Sequence, residues 1–195
     1  MPDSLSQTIR NVLARNVRIF SVNDEPAMVD ATGEAGAITT LDTRHNRIHR
    51  GQLFHYDAIA SAGAGAAIAF LLRVGDNPAH CRVFGSGSAL VRLLFYEDVT
   101  VSSQGTQQAL QNRNRNSTLA PKARIFTGGS ISGITNNNLI MDVYVPTGGG
   151  VLDVLAQTEW LLKPNTDYYF QVVNASSAQA SIGAIIELYE NVFHP

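Results

Sequence analysis

The stretch that decides the fold is KPNTDYYFQVVNASSAQASIGAIIELYE, Lys163–Glu190. In its first half Tyr168, Phe170 and Val172 recur at every second residue, with Asp167, Gln171 and Asn174 outside that set. In its second half Ile182, Ala184, Ile186 and Leu188 form one face, and Ser181, Gly183 and Glu187 the other. A period of two belongs to an extended strand, whose successive side chains point to opposite sides. One apolar and one polar face is the antiparallel pattern. The Pro164-Asn165-Thr166 turn ahead of these runs reads as a hairpin: proline presets φ and asparagine can bond its own backbone.

The same grammar extends back to Gly51. AAIAFLLRV (66–74) stops at GDNP, AHCRVF (79–84) at GSGS, and ALVRLLFYE (89–97) runs into DVTVSSQGT. ARIFT (123–127) stops at GGS, LIMDVYV (139–145) at PTGGG, and VLDVLAQTEWLLK (151–163) at PNTD. In LIMDVYV the residues Leu139, Met141, Val143 and Val145 share a face. Short strands at this spacing predict an all-β antiparallel sandwich with at most one long helix. Tyr96-Glu97 and Tyr189-Glu190 each close an apolar run, an echo compatible with the two Greek keys of a jelly roll. Trp160, between strand-like neighbours, is expected in the core.

Upstream the text differs. Over residues 4–20 Leu5, Ile9, Val12 and Leu13 fall on one helical face, and Ser4 and Gln7 have capping-box spacing. Residues 21–50, broken by Pro26, Gly33 and Gly36, show no period and end in TRHNRIHR. The expected organisation is an N-terminal arm with a short helix, residues 1–47, and a sandwich, residues 48–195.

Catalytic motifs are not found. GSGSAL and GGSISG miss the Gly-x-Ser-x-Gly spacing, and SAGAGAA lacks the third glycine of a dinucleotide loop. His45 and His49 sit among Arg44, Arg47 and Arg50, which repel a cation, and His80 and Cys81 would face opposite sides of a strand. The carboxylates Glu97-Asp98 and Glu187/Glu190 have no spacing that defines a glycosidase, and no Asp-rich calcium loop occurs. The expectation is a non-enzyme with no cofactor and no metal. A single cysteine, Cys81, excludes an internal disulfide framework and suits synthesis in a reducing cytoplasm. MPDSLSQTIRN has no apolar signal region, and no apolar run reaches the length of a membrane span.

The charge pattern is uneven. The net charge is −2, yet no Asp or Glu lies between Asp98 and Asp142, where Arg113, Arg115, Lys122 and Arg124 stand in an Asn-rich stretch. Four cations with almost no aromatics make a poor nucleic-acid surface. Docking on an acidic protein surface fits better, set against the plain alternative of a solvated connection. If the stretch after the Gly105-Thr106 turn projects and runs extended, Arg113 and Arg115 lie on one side and Asn112, Asn114 and Asn116 on the other. Asp142, Asp153, Glu159, Asp167, Glu187 and Glu190 beyond it would then offer carboxylates to the loop of another copy.

The order LFYEDVTVSSQGT, then QNRNRNS, then EWLLKPNTDYYFQVVNAS and IIELYE, with IHRGQLFHYD upstream, resembles small tailed-bacteriophage capsid decoration (cement) proteins over about Ile48–Glu190. The resemblance implies a jelly-roll-like sandwich that forms a homo-oligomer, dimer or trimer, and bridges major capsid protein subunits on the outer surface of the virion. It implies no nucleic-acid or membrane partner. In that setting the partner-interface residues would be Leu5, Ile9, Val12 and Leu13 of the arm, and Asn112, Arg113, Asn114, Arg115 and Asn116 of the loop. The alternative is a receptor- or glycan-binding virion module at a head or tail fibre tip.

Overall fold

The computed structural model describes residues 43–134, 137–146 and 159–190. The chain divides into two units at Asn46/Arg47, and the described strands all belong to the second. The arm residues Leu5, Ile9, Val12 and Leu13, and Asp153, lie outside the described residues.

Among the described residues one helix, α1 (Thr43–His49), precedes the strands, in a segment whose sequence shows no helical period. Its end explains it. Gln52 N donates to Arg47 O and Gly51 N to Ile48 O, both at 2.9 Å, which is a Schellman closure. Gly51 takes φ 69°, and a Cβ there would lie 2.1 Å from Ser117 Oγ. Arg47 places a positive group at the negative end of the helix. A cap and tertiary contacts, not periodicity, hold these two turns.

Four long strands alternate between two sheets: β1 (Leu53–Ala62), β2 (Ala67–Arg73), β3 (Ala79–Gly87) and β4 (Val91–Glu97). A forty-residue-scale excursion follows, with β5 (Thr100–Ser103), β6 (Thr106–Gln108), β7 (Gln111–Asn112), β8 (Arg124–Thr127) and β9 (Ser130–Ser132). Then β10 (Leu139–Val145), β11 (Trp160–Leu162), β12 (Asp167–Asn174) and β13 (Ala180–Glu190) return antiparallel along the first four. One sheet has the order β11-β3-β13-β1-β7, and the other β10-β4-β12-β2-β8-β6. Without the excursion, β11-β3-β13-β1 faces β10-β4-β12-β2, the strand order of a jelly roll. The Lys163–Thr166 turn is therefore not a hairpin. It carries the chain from β11 in one sheet to β12 in the other, with Asn165 at φ 53° and its N–H on Gly75 O at 2.8 Å.

The core lies between the sheets. Tyr168, Phe170 and Val172 of β12 and Ile182, Ala184, Ile186 and Leu188 of β13 face it as their alternation requires. Phe95 packs against Tyr168 (5.6 Å) and Phe170 (6.1 Å), and Phe170 against Phe70 (6.2 Å). Each such ring contributes roughly 1.5–3 kcal/mol by leaving water. Trp160 packs partly buried beside them, edge-on to Phe95. Asn174 also points inward and is fully buried, although polar. Its amide donates to the carbonyls of Ala62, Gly63 and Ala178, and its oxygen accepts from Ser176 N and Oγ. It closes the ends of two loops that apolar side chains could not satisfy.

A second cluster lies on the outer side of the six-stranded sheet. Val99, Val101 and Ile131, on and beside the β5–β9 ribbon, cover Leu71, Leu94, Tyr96, Phe126 and Tyr169. This explains why Leu93-Leu94-Phe95-Tyr96 is apolar without alternation: both faces of β4 are covered. Leu139 joins this outer cluster, because a register shift between Leu139 and Met141 separates it from Met141, Val143 and Val145 on the core side.

Candidate functional site

The basic Asn-rich stretch begins at Gly105, φ 77°, where a Cβ would sit 2.2 Å from Thr127 O and 2.4 Å from Gly129 N. The turn does not project the chain. It sends β6 onto β8 at the edge of one sheet, then β7 onto β1 at the edge of the other, and β8 back to β2. The excursion laces the two sheets together along one side and covers edges that would otherwise be open.

Beyond β7 the loop is turned, not extended. Asn112 Oδ1 accepts from Asn114 N (2.9 Å), Asn114 Oδ1 from Asn116 N (3.1 Å), and Ser117 Oγ from Leu119 N (3.2 Å). Such side-chain-to-backbone turns are what Asn and Ser do in place of a ladder. Asn112 Nδ2 donates to Gly51 O (2.8 Å) and Leu119 O (3.2 Å), and Asn114 Nδ2 to His49 O (2.9 Å). Two of the three amides expected to serve a partner thus serve the chain itself; Asn116 remains exposed.

The arginines separate likewise. Arg113 forms an ion pair with Glu187, whose side chain is only 3% exposed. Glu187 stands between His55 of β1 and Arg82 of β3 in the strand register, on the outer face of the five-stranded sheet. A carboxylate there is out of water and needs a cation, which the loop supplies. Arg115 is exposed and donates to Gln111 Oε1 at 3.1 Å. The other described carboxylates of the C-terminal half are engaged within the chain as well. Asp142 holds Arg92, Asp167 holds Arg73, Glu159 holds His80, and Glu190 accepts from the N–H groups of Lys122 and Ala123. Among the described residues, the acids expected to await another copy's arginines are bonded within the chain.

Near Glu187 the rings of His80 and Tyr189 stack at 4.4 Å, and both side chains bond Glu159 Oε1. Arg47 lies over the Tyr189 ring at 5.2 Å. Burial, reinforced by Glu159, pushes the Tyr189 phenol well above its ordinary pKa. Cys81 points the other way, fully buried in the core, and burial raises its thiol too. Among the described residues no group of His, Cys, Asp and Glu could hold a metal ion. The arrangement fastens loop, helix end and sheet. Glu187 was assigned by alternation to a polar face; nothing local signals that a loop 74 positions earlier buries it. Along β1 the residues His55, Asp57, Ile59 and Ser61 share the outer face of this sheet, and Asp57, Ile59 and Ser61 are exposed.

The fold and the fastened loop define a jelly roll with a sheet-lacing insertion. No protein-family model, curated protein or solved structure matches the chain.

Proposed function

We propose that this chain is a structural virion protein that decorates and cements a bacteriophage head, bridging major capsid protein subunits as a homo-oligomer. The observation that carries the proposal is the jelly-roll strand order, an architecture used by viral capsid domains. The details support it. The loop is held in one shape by three side-chain turns and an ion pair, so presenting it to a neighbour costs little ordering entropy. Charged residues are only 15% of the chain, and most of the described carboxylates are paired internally, which suits packing against other protein. Many modest contacts suffice on a shell, because each oligomer engages several sites at once. The test is stoichiometry. Purified heads probed with an antibody to this chain should carry it in hundreds of copies on their outer surface, an order set by shell multiplicity. Absence from the particles, or a handful of copies at the tail, overturns the proposal.

A further inference from the structure

Four carboxylates occupy outward positions on the strands of the two sheets: Asp57, Asp142, Asp167 and Glu187. Arginines of the same chain hold three of them. Asp57 differs. Its side chain is 66% exposed, and among the described residues its ion-pair contact is His55 Nε2 at 3.7 Å, beyond hydrogen-bond reach. On the same face, two residues on, Ile59 is 79% exposed. Gly183 lies directly across from it, so no neighbouring side chain shields that flank.

The complement lies beside this patch. The loop after β7 runs antiparallel to β1, from Gln111 opposite His55 toward Leu53 and Gly51, but the Arg115 side chain reaches back to Gln111 Oε1 at 3.1 Å, level with His55 and two residues from Asp57 on the same face. Arg115 is exposed and, among the described residues, in no ion pair. This face therefore holds one exposed carboxylate, one exposed guanidinium and one uncovered aliphatic side chain.

We propose that this face is a self-contact: two copies of the chain meet about a two-fold axis, with Arg115 of each against Asp57 of the other and Ile59 closing over the pairs. A two-fold contact brings a patch against itself, so adjacent opposite charges make it self-complementary, whereas a uniformly charged patch would call for a different partner. The guanidinium fork suits a carboxylate, and apolar closure removes water from it. The proposal deepens the homo-oligomer part of the function above, on which its biological setting rests, but the contact itself needs no virion.

The test is sedimentation equilibrium of the purified full-length chain with charge reversal. The parent should self-associate, more weakly at about 500 mM than at about 50 mM salt. Asp57→Arg and Arg115→Asp should each weaken association at least about tenfold by setting like charges together. The double variant Asp57→Arg/Arg115→Asp should recover to within about threefold of the parent, since the pair is restored in reverse. Ile59→Asp should also weaken association. Both reversed positions are exposed, so the variants should unfold at the parent's midpoint; should one misfold, Asp57→Asn and Arg115→Gln carry the same comparison. A parent that stays monomeric, single variants that associate like the parent, or a double variant no better than the singles overturns the contact. A chain that dimerises as described yet is absent from purified heads leaves the contact standing and removes the virion function instead.

Discussion

Replacing Arg113 by alanine tests whether the loop is fastened within the chain. The Glu187 side chain is 3% exposed and that of Arg113 32%. Stripping the cation from a fully buried pair costs about 3–5 kcal/mol, while a fully exposed pair is worth about 0–1 kcal/mol. A buried carboxylate facing a one-third exposed guanidinium lies between, at about 1.5–3 kcal/mol. For a domain of this size that lowers Tm by about 4–10 °C. The reverse change, Glu187→Gln, keeps the shape, removes the charge and leaves Arg113 to hydrate, so it should cost only about 1 kcal/mol. The asymmetry is the signature: the double variant should be less destabilised than the two single losses together. Urea unfolding followed by Trp160 fluorescence measures all three. A loop that contacts only other copies requires Arg113→Ala to unfold at the parent's midpoint; that result, or strict additivity of the two changes, refutes the reasoning.

Gly51→Ala should lower stability by about 2 kcal/mol or more in the same assay, because the positive φ and the Ser117 hydroxyl both oppose a Cβ. Asp142 is held below the ordinary aspartate range by the Arg92 fork. A lowered folded pKa means a contribution fully present above the unfolded value of about 3.9 and lost as pH falls through the folded value. Asp142→Asn should therefore flatten part of the stability loss below about pH 4 while costing little at neutral pH. Cys81, fully buried with its thiol shifted upward, should resist iodoacetamide in the folded protein and react at the free-thiol rate in urea; ready labelling of the native chain contradicts its placement.

The strands with a clean period of two were legible, because one buried face stamps its alternation on the residues themselves. β12 and β13 show this residue by residue. Sheet membership was not legible, since Lys163–Thr166 has the residues of a hairpin turn and only distant pairing decides that it joins two sheets. The short helix escaped because a Schellman cap and contacts across the sequence stabilise it, not an apolar stripe. At the site, the composition of the Asn-Arg loop marked an unusual element, but its outcome depended on Glu187. Alternation could place Glu187 on a face and could not tell that the face is covered. Asn174 hides for the same reason: it continues the spacing of Tyr168, Phe170 and Val172 although its polarity sets it outside them, and the carbonyls that justify burying an amide come from two separate loops.

The pairing of β1 with β13 has a consequence for how the molecule is made. Leu53 lies opposite Tyr189 and Ala62 opposite Ala180, while β13 also pairs along its length with β3. During synthesis, β1 and β3 are complete long before the strand that joins them exists. Until then each offers an unpaired edge, and the five-stranded sheet cannot close, whatever the local propensities. Closure must wait for contacts of very large sequence separation, which places this chain among the slow folders of its size. A stop codon ahead of Ala180 would therefore do more than shorten a terminus: it would remove the central strand and leave two sticky edges facing each other across the gap.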